Sequence, residues 1–416
     1  MTPTQDSAKE PARANVSFAA LRHPDFRFYF IVSALAMMAD SIEHVISYWM
    51  MFQKFHSQTL AGFAVVSHWL PFLFFSVYAG ALADRFDPRR LIQLGMLCFI
   101  VASAGWGYFF VTDTLEMWHA MALLVIHGFA GVLWGPASQL LIQNLVTPRQ
   151  LPSAVRLSAT ARWLGLLMGP AIGGAIMLAI GPSAGILVNV LFYLPLLIWL
   201  WKAPFVRAQA KGAVRGFTEI WATMHAIAGN RTIVSMTLLA GGASLFVGNA
   251  YQAQMPEFAE HLGHGHAGAG YSMLLAADAA GALLAGFVLE SRSLLQPRPR
   301  TAFVLAMLWC CAIGGFAVAG TYPVAFALLF VAGFLQLAFA AMGQTLVQIN
   351  APTEIRGRVI GLYSMSSLGL RAFSGVTVGI LGSVIGIHWS LALSAMALLA
   401  ITAGLLAFTL KPATSR

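Results

Sequence analysis

From Phe26 onward, polar residues punctuate a train of apolar stretches. Each stretch runs for roughly 20 residues or more, the length a helix needs to cross ~30 Å of hydrocarbon. The pattern predicts twelve membrane-spanning helices, over 26–52, 60–83, 91–112, 118–145, 153–180, 184–203, 231–257, 268–290, 300–320, 323–350, 357–385 and 389–410. Two longer polar segments interrupt it. Residues 1–25 form a leader with Pro3, Pro11 and Pro24, and no apolar run with a small-residue cleavage site predicts its removal. In residues 204–230, Phe217, Ile220, Trp221, Met224 and Ile227 recur at helical spacing, which predicts an amphipathic helix on the membrane surface.

The chain also repeats itself. At an offset of 204 residues, Pro148, Leu151, Val155 and Gly165 fall on Pro352, Ile355, Val359 and Gly369. At an offset of 206, Gly80 and Asp84 fall on Gly286 and Glu290. With the polar segment midway, these matches predict two parallel six-helix halves, an organisation common in secondary transporters. The predicted divisions are a leader (1–25), an N-terminal bundle (26–203), a linker (204–230), a C-terminal bundle (231–410) and a tail (411–416).

Composition sharpens this picture. The 416 residues are 59% hydrophobic and 9% charged, against ~25% charged in soluble domains, which excludes a soluble enzyme and a disordered chain. The net charge of +9 would fit nucleic acid if the basic residues formed a patch, but their placement assigns them another role. Of the 24 Lys and Arg, 21 sit at the termini, in the even-to-odd connections or at the adjoining helix ends. Lys54 alone lies on the opposite side. The positive-inside rule then puts both termini in the cytoplasm, in a plasma membrane of the bacterial inner-membrane type. No nucleic-acid partner is expected. Cys98, Cys310 and Cys311 fall inside apolar runs and imply no disulfide framework.

Ionisable residues inside a bilayer are costly and should face a cavity or a partner. The interiors of spans 3, 6, 9 and 12 lack them. They occur instead as Asp40, Glu43 and His44 in span 1, His68 in span 2, His127 in span 4, Arg162 in span 5, Asp278 in span 8 and Arg371 in span 11. Period three predicts a central polar path flanked by lipid-facing supports. Asp40, Glu43 and His44, at i, i+3 and i+4, share one helix face, which Ser33, Met37, Ser47 and Tyr48 extend. Asp40 lies about 20 Å along its helix, where a carboxylate out of water can bind and release a proton. The alternative is a carboxylate neutralised for packing. Arg162 and Asp278, at similar depths, are candidates for a buried pair, and Arg371 for a pair with Asp40 or Glu43. Tyr48, His68, His127, Asn249, Gln252, Gln336 and Gln344 are candidates for substrate contacts, or for polar glue between helices. Gln348 shares the face of Gln336 and Gln344.

Two motifs carry a family resemblance. Gly80-Ala81-Leu82-Ala83-Asp84-Arg85-Phe86-Asp87-Pro88-Arg89-Arg90 resembles the loop motif between helices 2 and 3 of the major facilitator superfamily. Gly165-Leu166-Leu167-Met168-Gly169-Pro170-Ala171-Ile172-Gly173-Gly174 resembles its helix 5 antiporter motif, typical of exporters. The run from Asp40 through Pro71 to Arg90 is similar to the siderophore and macrolide exporter branch. The resemblance implies an all-α fold of twelve helices in two pseudo-symmetric bundles. It also implies that Gly80 and Asp84, with Arg85, Arg89 and Arg90, latch helix 2 to the start of helix 11 near Gly357. Glu290 would do the same for the start of helix 5 near Ser153. Asp87 and Pro88 depart from the loop pattern. Span 4 carries His127-Gly128 and no Arg, so the proton-coupling role of the usual Arg does not carry over.

These readings converge on a monomeric proton antiporter that exports a small siderophore- or drug-like molecule by alternating access. No cofactor is expected. The alternative is a transition-metal exporter that uses Asp40 and His44, four residues apart as in ferroportin-like exporters, with Glu257, Glu260, His261, His264 and His266 collecting cations outside. Metalloprotease, nucleophile-elbow and Walker sequences are all missing, which argues against an enzyme.

Overall fold

Apolar segments become helices because backbone polar groups withdrawn from water must pair within the segment. The structure, a computed structural model, describes residues 17–55, 58–204, 218–248, 250–253, 255–263, 269–291, 295–374, 378 and 381–410. The N-terminal half contains α1 (Pro24–Phe55), α2 (Gln58–Arg85), α3 (Pro88–Val111), α4 (Met117–Leu145), α5 (Leu151–Ile180) and α6 (Pro182–Trp199). A short helix, α7 (Thr218–Ile227), follows in the linker. The C-terminal half contains α8 (Arg231–Phe246), α9 (Ala250–Ala253), α10 (Met255–His261), α11 (Ala269–Ser291), α12 (Pro299–Ala317), α13 (Tyr322–Asn350), α14 (Arg356–Ser367), α15 (Leu381–Ile385) and α16 (Ile387–Leu410).

Among the described residues, ten helices are long and apolar enough to span a bilayer. The seventh and eleventh predicted spans are broken. After α8 the chain turns at Gly248, whose φ of +50° is a backbone state that glycine adopts without a Cβ clash. After α14 it passes into a 3-10 turn over Gly369–Phe373. The two breaks support each other: the Ser244 hydroxyl on α8 donates to the Ser367 carbonyl at 2.5 Å, and Arg371 Nε donates to the same oxygen at 3.2 Å. Broken backbone is tolerated at membrane depth when side chains satisfy it in this way.

α3, α6, α12 and α16 make their substantial contacts within their own halves, as the period-three distribution of polar residues predicts. The halves meet through α2 against α14 and through α5 against α11 and α13. There the N-terminal core is continuous with Ala282, Ala285, Leu289, Leu337, Ala338 and Ala341 of the other half. α7 buries Glu219, Thr223 and Ile227 against the bundle and exposes Trp221 and Met224. Phe217, the leader before Ser17, and the tail lie outside the described residues.

Candidate functional site

The face of α1 that carries Asp40, Glu43 and His44 turns inward, toward α2 and α4. Gly128 sets the approach of α4, because a Cβ there would run into the carbonyl oxygen of Ser67 on α2. That close contact brings His127 beside His68, with ring centroids 5.5 Å apart, and beside His44 at 4.7 Å. His127 stands between the two carboxylates. Its Nδ1 is 2.8 Å from Glu43 Oε1 and its Nε2 is 2.9 Å from Asp40 Oδ1. The second contact lies off the N–H axis and is chiefly ionic. His44 Nδ1 meets the Asp40 carbonyl at 2.7 Å, one turn back on the same helix.

Glu43 is almost fully buried and is fixed from behind. The Ser103 hydroxyl donates to its Oε2, and Asn189 Nδ2 lies 3.4 Å from that hydroxyl while donating to the Ala39 carbonyl at 2.9 Å. Phe99 seals the inner side, edge-on to His127 and stacked on Tyr193. On the other side, Glu43, His44, Ser47, Tyr48, His68 and His127 line a small pocket of about 10 Å³. One ligand nitrogen from each of His44, His68 and His127 lies within 4.8 Å of the others, so three imidazoles and two carboxylates share one small volume.

A second set of contacts closes the end of the molecule that carries the α2–α3 connection. Gly80 lets α2 touch the backbone of α14, since a Cβ would strike the Gly357 carbonyl. Asp84 then accepts from the backbone N–H of Gly357 at 2.5 Å and of Arg358 at 3.0 Å. A carboxylate at a helix N-terminus satisfies otherwise unpaired donors and complements the helix dipole. The repeat-related position behaves in the same way with different partners. Glu290 on α11 takes the Ser153 hydroxyl and the Arg156 guanidinium, with Oε2 2.8 Å from Nη2, at the start of α5. α4 adds a polar ladder to α13 and α14: Gln348 on α13 donates to Gln139 at 3.1 Å, and Arg356 at the start of α14 donates to Gln143 at 2.8 Å.

This geometry, two helical halves joined by repeat-related acid-to-N-terminus latches, agrees with the family comparison. Residues 15–416 match the family described as transmembrane secretion effector, within the major facilitator superfamily. The chain belongs to this family. Over 200 residues it is 27% identical to multidrug resistance protein 1 of Bacillus subtilis (strain 168), covering 46% of this chain and 49% of the relative. Over 135 residues it is 23% identical to the uncharacterised MFS-type transporter YdeE of Escherichia coli (strain K12), covering 32% of each. The alignments thus span about half of the first relative and a third of the second. The E. coli fucose:proton symporter FucP superposes with a TM-score of 0.73 at 12% identity, over 93% of this chain and all of that one. The human organic anion transporter MFSD10 superposes at 0.73 with 14% identity, over 92% and 99%. These structures share the fold, which is the twelve-helix major facilitator fold of membrane transporters rather than of enzymes.

As a member of this family, the chain uses its helix 5 motif for close packing. Gly165, Gly169 and Gly173 press α5 onto α1 at Met37, Met38, Ser41 and Ile42. Pro170 stays within the continuous helix, and Gly174 faces open space. In the loop motif, Asp87 and Pro88 start α3. Asp87 Oδ1 accepts from the Arg89 N–H at 2.9 Å, with Pro88 at the first helical position, where a missing N–H costs nothing. Arg89 returns to the Asp87 carboxylate and the Ala203 carbonyl, and Arg90 to Gln93.

Two expected ion pairs are not present. Asp278 accepts from Tyr251 Oη at 3.0 Å and from Gln252 Nε2 at 3.3 Å, and not from Arg162. Arg371 lies over the Trp69 ring, 5.2 Å from its centroid, and not against Asp40 or Glu43, because His127 has taken both carboxylates. Gln336 buries Oε1 without a hydrogen-bond partner among the described residues. Gln348 belongs to the closing contacts. Asn249, His264 and His266 lie outside the described residues, and His261 stacks on His388.

Sequence reasoning missed Glu219. It is buried beneath α7 and joins Arg85 at 3.3 Å to Arg358 at 2.8 Å, tying the linker to both halves. A lone acid on a helix otherwise read as membrane-facing was the available signal.

Proposed function

We propose that this chain is a proton-coupled exporter of small organic molecules in a bacterial inner membrane, with both termini cytoplasmic. The observation that carries the reading is His127 held between Asp40 and Glu43 inside the N-terminal half, next to a pocket with His44 and His68 in its wall. A proton on the imidazole can pass to either carboxylate; Glu43 lines the pocket, and Asp40 is the more accessible of the two. The closed end would be the cytoplasmic one, because it gathers the basic residues. The α5 span is the least buried of the ten, as expected for a helix lining a cleft open on the other side. Protonation from that side would lower the cluster's charge and favour reorganisation of the halves, and release inside would complete antiport. The name of the Bacillus relative supports a drug-like cargo.

The test is transport in proteoliposomes under an imposed pH gradient. Asp40→Asn and His127→Gln, with folding checked by size-exclusion profile, should abolish gradient-driven movement while leaving equilibrative exchange. Wild-type gradient-driven transport in Asp40→Asn would refute the reading. A transition-metal cargo is favoured by the three neighbouring imidazoles, but the carboxylates at both nitrogens of His127 compete with metal ligation. A zinc- or cobalt-dependent thermal shift lost in His44→Ala and His68→Ala would favour it instead.

A further inference from the structure

The two latches at the closed end are each crossed by a further piece of chain. The first, Asp84 at the start of α14, is bridged by Glu219 of the linker. The second, Glu290 at the start of α5, is crossed by the segment that precedes α1. That segment contains a 3-10 turn over Ala19–Arg22, which lies against α1 and α5. The turn is rooted in the N-terminal half. Ala20 is fully buried in the core there, its N–H donates to Ser153 Oγ at 3.1 Å, and Gln150 Nε2 donates to the Ala19 carbonyl at 3.3 Å. The two residues before the turn reach the other half. The Ser17 hydroxyl donates to the carbonyl of Ser291, the last residue of α11, where the helix itself offers no partner. The Phe18 ring packs on the Phe287 ring of α11, with centroids 5.8 Å apart.

This segment and the latch share an atom. Ser153 Oγ accepts from Ala20 and its hydroxyl donates to Glu290, so the two bonds run in series and polarise each other. Phe18 also has φ +52° and ψ +37°, the left-handed region that a residue with a Cβ rarely adopts. Such a backbone persists where the surrounding contacts hold it, and here they lie on both sides of the join between halves. The internal repeat supplies a separate argument. Each latch joins the second helix of one half to the fifth of the other. In both cases the bridging segment is the one that precedes the half supplying the fifth helix: α7 before the half that supplies α14, and residues 17–22 before the half that supplies α5. The same position under the repeat is filled twice, by an ion pair in one case and by a ring contact with a hydrogen bond in the other.

We propose that residues 17–22 are a strap that holds the closed end shut. The turn stays with the N-terminal half, and Ser17 and Phe18 must release α11 before α5 and α11 can part. The strap acts on the opening of this end whatever the cargo, and it does not rest on the proton-coupled reading.

The experiment uses the full chain in nanodiscs, with the three free cysteines replaced by Ser and spin labels at Lys202 and Arg300, exposed on the closed end in opposite halves. Double electron–electron resonance reads the distance between them. Phe18→Ala and Ser17→Ala should each enlarge the long-distance population, shifting the closed-to-open ratio roughly 5-fold, the effect of losing one aromatic pair or one neutral hydrogen bond. Phe287→Ala should do the same from the other side of the join while leaving the strap's own backbone contacts in place. Combining Phe18→Ala with Phe287→Ala should give no more than either alone, because both remove one shared contact. Ser17→Ala removes only a hydroxyl and keeps the test open if Phe18→Ala fails to fold. The proposal is overturned if the distance distribution is that of the wild type in Ser17→Ala and in Phe287→Ala. It is also overturned if the effects of Phe18→Ala and Phe287→Ala add in full, since the two rings would then act separately and not as a contact between halves.

Discussion

Asp84→Ala should open the end of the molecule that α2 and α14 close. Asp84 is 4% exposed and accepts two backbone N–H groups, of Gly357 at 2.5 Å and Arg358 at 3.0 Å. Each is a hydrogen bond to a charged acceptor, worth about 1.5 kcal/mol at the low end of the usual range. Truncation strands both donors in the closed arrangement, whereas water can reach them once the helices part. The closed form is therefore disfavoured by ~3 kcal/mol relative to the open one, a shift of roughly 150-fold in their ratio. The assay is double electron–electron resonance between spin labels at Thr147 and Glu354, exposed on this end in opposite halves, with the three free cysteines replaced by Ser. The expected result is a longer, broader distance distribution. Asp87→Asn is the internal control, because Asp87 caps α3 within one half and should leave the distance unchanged. A wild-type distribution in Asp84→Ala would refute the assignment of this carboxylate to closure.

Three further outcomes follow from the same geometry. Glu219→Ala leaves Arg85 and Arg358 facing each other without their shared carboxylate, so it should lengthen the same label distance, and combining it with Arg85→Ala should be less than additive. Gly128→Ala places a Cβ on the Ser67 carbonyl, and since backbone yields little there, it should cost about 1–3 kcal/mol of stability in a thermal melt and part His127 from His68. Asp113, between α3 and α4, is held below the usual carboxylate range by the Lys54 ammonium at 2.7 Å. A carboxyl with a lowered value stabilises the fold at neutral pH and loses that effect as pH falls through the value. The pair is exposed, so Asp113→Asn should leave the neutral-pH melting temperature without a measurable shift.

Much of this protein was legible in order along the chain. Hydrocarbon thickness and backbone pairing turn apolar length into helices, so the spans could be placed without knowing their neighbours. The repeat located both latching acids, Asp84 and Glu290, because a small residue followed by an acid is a local pattern. The clustering of Asp40, Glu43 and His44 was legible too, since helical spacing alone puts them on one face. Counter-charges were not. Arg162 and Asp278 lie at similar depths, which sequence can count, but whether they meet depends on which faces two helices turn toward each other. Here Gly128 draws α4 against α2 so closely that His127 reaches both α1 carboxylates, and the arginines are left without them.

The breaks after Phe246 and Ser367 were hidden for a related reason. The Ser367 carbonyl freed at the second break is satisfied by Ser244 from beside the first and by Arg371, partners that only the packed structure supplies. Sequence by itself determined that the chain crosses a membrane, how often, and which helices hold charge, because those depend on the solvent and on helical period. Tertiary structure decided which charge neutralises which. Ion pairing depends on ångström-scale approach between helices distant in sequence, and in this bundle that approach is set by glycines whose missing side chains let backbones touch.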